Sequence, residues 1–134
     1  MRIALFIDGN NFYHGLKNIY EESRKLIDFD FSKFSEILSL DNDVVAIFYY
    51  NAKLDKSENQ GKFKSQQRFF DKLKRIDNFH LILCKLLKRK IKNTNNYYYV
   101  LKEDDIHMAV DMVEGAADDK YDIALVVSGD GDFV

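Results

Sequence analysis

Two short apolar runs, each ending abruptly in a turn of glycine and aspartate, constrain this chain more than anything else in it. Ile3-Ala4-Leu5-Phe6-Ile7 stops at Asp8-Gly9-Asn10-Asn11, and Ile123-Ala124-Leu125-Val126-Val127 stops at Ser128-Gly129-Asp130-Gly131-Asp132. Five apolar residues without polar alternation mark a strand covered on both faces, and such strands belong to parallel sheets. Val44–Tyr50 and Phe79–Leu87 read as further buried strands, and Tyr97–Leu101 fits a short additional one. Between them lie helical patterns. Phe12, Leu16, Ile19 and Tyr20 share one face, a shorter helix fits residues 32–39, and residues 60–76 set Phe63, Phe70 and Leu73 among lysines and arginines. A helix beginning near Glu103 offers the stripe Ile106, Ala109, Val110, Val113 and Ala117 as its core face. Lys88–Tyr97 is polar and basic and reads as a loop. Strands alternating with helices imply βαβ units, hence an α/β fold with a mostly parallel sheet and helices on both faces.

A chain of 134 residues suffices for one domain, 1–134, and its 46% hydrophobic content can bury a real core. Met1–Asp8 is interrupted by an acid too early for a signal peptide or a membrane span, so no membrane partner is expected. The single Cys84 lies in an apolar stretch and cannot form an internal disulfide. It reads as a packed thiol in a cytoplasmic protein.

The net charge of −2 hides a strong polarity. Residues 1–52 carry five basic against eight acidic side chains, residues 53–92 thirteen against four, and residues 93–134 two against ten. A basic middle can hold a polyanion while an acidic end holds metal ions.

Open parallel sheets bind ligands beyond the carboxyl ends of their strands. Asp8 ends the first strand, Asp130 and Asp132 follow the last, and Asp104 and Asp105 open the helix before it. If the first and last strands are neighbours, these acids converge. Close carboxylates repel by roughly 4 kcal/mol per pair at an effective dielectric near 20, so the cluster requires protons or a divalent cation. Oxygen ligands without Cys or His favour Mg²⁺ or Mn²⁺. Such an ion beside a polyanion suits phosphodiester hydrolysis by activated water. Each acid also has a plain structural reading: Asp8 and Asp132 as helix caps, Asp104 and Asp105 as partners of a helix dipole.

At these residues the chain resembles a family. Phe6-Ile7-Asp8-Gly9-Asn10-Asn11, Lys102-Glu103-Asp104-Asp105-Ile106-His107-Met108-Ala109-Val110-Asp111-Met112, and Val126-Val127-Ser128-Gly129-Asp130-Gly131-Asp132-Phe133 are similar, in order, to three motifs of the NYN domains, in particular their LabA-like bacterial branch. The resemblance implies a PIN-like three-layer α/β/α fold and a metal-dependent ribonuclease. It implies Asp8, Asp105, Asp130 and Asp132 as metal-binding, catalytic acids, and Asn11, Lys102 and Ser128 on the substrate side. Two departures stand out. Glu103 replaces the family's usual glycine, adding Asp104 as a competing acid, and the family domain continues past the strand-end motif. A final helix and strand are therefore expected to be missing, leaving an apolar patch or a homodimer. Asp111 matches a family aspartate but lies about 240° around an ideal helix from Asp105, which leaves a supporting or surface role beside metal contact. Lys102 either neutralises a phosphate or pairs with Asp105.

In the basic middle, Arg68, Lys88 and Arg89 are candidate phosphate contacts, and Tyr97, Tyr98 and Tyr99 follow where a base can stack. A solvated charged face and packed tyrosines would give the same pattern. Nothing here reads a duplex groove, so single-stranded RNA is the expected partner. His14, His80 and His107 form no ligand set and read as structural or surface residues. Two other functions remain open: an inactive RNA-binding module, and a haloacid-dehalogenase-like phosphatase, whose final metal motif Gly129-Asp130-Gly131-Asp132 resembles. The phosphatase chemistry needs a second acid two residues after its nucleophile, where this chain has Asn10.

Overall fold

Among the described residues, the alternation of apolar runs and helical segments resolves into two sheets and four helices. The computed structural model describes residues 1–19, 28–52, 60–84, 86–101 and 104–129. In chain order the elements are β1 (Arg2–Asp8), α1 (Gly9–Ile19), α2 (Phe31–Ser39), β2 (Asp43–Ala52), α3 (Gln60–Leu73), β3 (Phe79–Cys84), β4 (Leu86–Lys90), β5 (Tyr97–Leu101), α4 (Asp104–Ala117) and β6 (Ile123–Val127). The main sheet is parallel throughout, in the order β3-β2-β1-β6, while β4 and β5 form a separate antiparallel pair.

This order explains why β1 is apolar on both sides. Ile3, Leu5 and Ile7 face a core with Phe31, Tyr49, Phe69, Phe70 and Leu73, the side of α2 and α3. Ala4 and Phe6 face Met108 and Tyr50, the side of α4. Local chemistry sets the ends of α2. The Asp30 carboxylate accepts from Lys33 N at 3.0 Å as an N-cap, and Leu40 closes the helix in the left-handed region at φ 47°.

Two expectations change. The stripe Ile106, Val110 and Val113 is not the buried face of α4: Ile106 is 67% and Val113 70% exposed. Instead Met108 and Met112 pack on the sheet, and Gly115 admits the Tyr121 ring, whose hydroxyl donates to Met112 O. The helix carries two apolar stripes, and periodicity alone cannot say which one meets a sheet. The segment expected as a basic loop begins as β4 and pairs with β5.

At the opposite edge from the strand-end acids, Arg2 fastens β1 to the start of β6. Its Nη2 lies 2.7 Å from Asp119 Oδ1 and 3.0 Å from Asp122 Oδ1, and its backbone N donates to Asp122 Oδ2 at 2.7 Å. These bonds, the side-chain one first, lower the Asp122 carboxyl to about 2. A folded pKa below the unfolded one stabilises above about pH 4 and is lost as the pH falls toward about 2. Asp122→Asn is thus expected to lower the melting temperature near neutrality, with the gap from the parent closing at acid pH. A gap independent of pH would contradict the ion-pair account.

Candidate active site

Strand order fixes where a site can form. From β1 the chain steps one way through β2 and β3, then returns to the other side of β1 as β6. The connections leave on opposite faces, which makes the β1–β6 boundary the topological switch point, where open parallel sheets bind ligands at the carboxyl rim. Ile7 pairs with Val127, so Asp8 and Ser128 emerge there side by side.

Asp8 is 3% exposed. Its Oδ2 accepts from Asn11 Nδ2 at 2.8 Å and from Ser128 Oγ at 3.2 Å, and its Oδ1 accepts from Asn11 N at 3.3 Å. Asn11 Nδ2 also reaches Ser128 Oγ at 3.4 Å, and a Cβ built on Gly129 would stand 3.4 Å from Asn11 Oδ1. The first and last motifs therefore meet through side chains. The plain helix-cap reading of Asp8 is partly correct, since it accepts the Asn11 N–H, but the same carboxylate also takes a hydroxyl from β6's end.

Gly9 makes the turn possible. A Cβ there would lie 2.5 Å from Tyr50 O and 2.6 Å from Tyr49 Cε1. The Tyr49 hydroxyl donates to Gly9 O at 3.4 Å, and burial, then the negative Asp8, push its phenol pKa well up. Tyr49 thus stays protonated beneath the turn.

The acids of α4 are placed by its packing. The helix packs on β1 and β2 and leads back into β6, a parallel neighbour of β1, so its first residues lie toward the carboxyl rim. Asp105 stands three residues before Met108, about 4.5 Å along the axis and on the sheet side. Asp8 stands two residues beyond Phe6, about 6.6 Å along the strand, and Met108 packs with Phe6. Ideal rises of helix and strand would carry Asp105 toward the rim that holds Asp8. Asp111 goes elsewhere: Tyr50 Oη donates to its Oδ2 at 2.8 Å, tying α4 to β2 and, after burial, helping to raise the Tyr50 phenol pKa. Neither tyrosine stood out in the sequence, because both lie within an apolar strand.

The remaining candidates divide by position. Asp130, Asp132 and Lys102 lie outside the described residues. Asp104 opens α4 and Lys88 lies within β4. Gln66 Nε2 donates to Ala52 O at 2.8 Å, which sets the middle of α3 level with the end of β2. Arg68, half a turn further, is exposed on that helix, and Arg89 is exposed on β4.

The donor set suits a hard divalent cation. Among the described residues, Asp8 has only neutral partners, Asn11 and Ser128, and a buried carboxylate without a cationic partner is electrostatically incomplete. Among the described residues no three Asp, Glu, His or Cys side chains gather as a metal group; two of the four expected acids lie outside that set.

The class that fold and site define is an α/β domain with a buried carboxylate at the switch point of a parallel sheet. A family model described as the NYN domain matches residues 2–134, and the chain belongs to that family. The NYN family is generally one of nucleases, and the mixed α/β architecture with its central parallel sheet is consistent with a PIN-like NYN fold. No curated protein and no solved structure matches the chain.

Proposed function

We propose that this chain is a metal-dependent ribonuclease that hydrolyses phosphodiester bonds of single-stranded RNA. The observation that carries the reading is Asp8: a buried carboxylate, oriented by Asn11 and Ser128 at the switch point, in a chain of a generally nucleolytic family. Asp8, Asp105, Asp130 and Asp132 would hold Mg²⁺ or Mn²⁺, with Asp104 as a further acid. When bound, the ion supplies Lewis acidity toward the phosphate and lowers the pKa of water.

The chain's own groups do the rest. Asn11 holds the Asp8 carboxylate in one orientation through its amide and backbone N–H. The Ser128 hydroxyl donates to Asp8 Oδ2 and would be the neutral donor nearest a phosphate bound at that carboxylate. Lys102, Arg68, Lys88 and Arg89 carry the positive charge that receives the RNA backbone. Among the described residues no helix is long and apolar enough to cross a membrane. Within the family, the strand-end motif Ser128-Gly129-Asp130-Gly131-Asp132-Phe133 favours the LabA-like branch.

The test is an assay of the purified chain on end-labelled single-stranded RNA and, separately, on a phosphomonoester. Cleavage of RNA that needs Mg²⁺ or Mn²⁺ and stops with a chelator is expected. RNA bound but left intact with either metal would make the chain a binding module, and turnover of the monoester alone would make it a phosphatase.

A further inference from the structure

The β4–β5 hairpin is the one described element pair outside the main sheet, and its composition is unusual for a structural hairpin. No acidic residue occurs between Asp77 and Glu103. Of the five cross-strand pairs, Leu86 with Leu101 and Leu87 with Val100 are apolar, and the three toward the turn are Lys88 with Tyr99, Arg89 with Tyr98, and Lys90 with Tyr97. A hairpin stabilised by its side chains would set opposite charges across from each other. Here the register sets each of these cations opposite a tyrosine, and Tyr97 and Tyr98 remain 54% and 47% exposed. The turn is ordered: Ile91 N donates to Asn96 O at 2.9 Å, Thr94 N to Ile91 O at 3.1 Å, and Asn93 takes φ 65°.

Topology sets where the arm stands. It leaves from the end of β3 and returns to the start of α4, and both points lie at the carboxyl rim that carries Asp8. The strand β3 is two positions from β1, about 10 Å at ordinary strand spacing. Five residues of strand extend roughly 17 Å, enough to follow several nucleotides.

We propose that the β4–β5 hairpin is a preformed arm for single-stranded RNA, in which Tyr97 stacks on an unpaired base while Lys90 takes the adjacent phosphate. The inference deepens the ribonuclease reading and rests on it. Cations in a stretch whose sequence holds no acid from 78 to 102 draw a polyanion, and an exposed tyrosine offers a stacking surface that any base can use. Duplex RNA keeps its bases stacked inside, so an arm of this kind selects unpaired strands. Of the two exposed tyrosines, Tyr97 is the more exposed and pairs nearest the turn. Tyr98, the next residue, points to the other face of the hairpin.

The test uses the full chain carrying Asp8→Asn, so that RNA is not consumed, and a fluorescent oligouridine long enough to span arm and rim. Tyr97→Ala is expected to weaken binding about 5- to 150-fold, the range for loss of one stacked base, and Tyr97→Phe to restore it. Lys90→Gln is expected to lower the slope of log affinity against log salt by about 0.7. With eight tyrosines and no tryptophan in the chain, tyrosine emission reports stacking directly: RNA should quench it, and less so in Tyr97→Ala. In the chain with Asp8 restored, the arm variants should raise KM and leave kcat unchanged. Binding unaltered by Tyr97→Ala, an affinity loss confined to Tyr98→Ala, or equal losses on duplex and single strand would overturn the arm. Cleavage by the parent with unaltered binding by the variants would remove the arm and keep the nuclease; weakened binding with no parent cleavage would do the reverse.

Discussion

Replacing Asp8 by asparagine is expected to abolish metal-dependent RNA cleavage while leaving the fold intact. The substitution keeps shape and removes charge, so the cation would lose a buried carboxylate ligand. Loss of several kcal/mol of transition-state stabilisation corresponds to roughly a thousandfold in rate. Stability should move the other way without metal. The carboxylate is buried against neutral donors, and removing an uncompensated charge is neutral or favourable. With Mn²⁺ at about a hundred times its dissociation constant the parent should gain about 2.7 kcal/mol, and Asp8→Asn much less. Thermal unfolding with and without Mn²⁺, beside the cleavage assay, checks both halves. An Asp8→Asn chain that cuts RNA at the parental rate would remove the proposed mechanism.

Two glycine-to-alanine substitutions in α1 are expected to act in opposite directions. Gly9 has no positive φ, so its requirement is space: an added Cβ would meet the backbone of Tyr50 at 2.5 Å and the Tyr49 ring at 2.6 Å. The neighbouring strand is held on both sides by β1 and β3 and cannot retreat. Gly9→Ala should therefore cost about 3 kcal/mol, the upper part of the overpacking range, and displace Asp8 with the turn. Around Gly15 nothing lies within 4 Å, and Gly15→Ala should add about 0.5–1 kcal/mol of helix stability. Urea unfolding midpoints separate the two. Equal effects would mean that the β1–α1 turn is not packed against Tyr49 and Tyr50.

The site was more legible in the sequence than the surfaces around it. A polar residue that ends a short apolar run bounded by glycines falls at the end of a buried strand, so Asp8 and Ser128 were placed at strand ends by the order of residues. Their meeting depends on β6 lying beside β1, which chain order does not determine. Helical arithmetic did not show that Asp111 bonds Tyr50 on the sheet, because a tyrosine in an apolar strand looks like core until its hydroxyl finds a partner. On α4, Met108 and Met112 compete with the longer Ile106–Val110–Val113 stripe, and only the sheet decides between them. The hairpin was hidden because Lys88, Arg89 and Lys90 have little β preference; pairing with a tyrosine strand, not propensity, makes β4.

The most direct test of the central claim is a crystal of the protein grown with Mn²⁺ and measured for anomalous scattering. The account predicts a peak coordinated by Asp8 together with at least one of Asp105, Asp130 and Asp132. A peak elsewhere, or Asp8 and Asp105 too far apart to share one ion, would contradict it.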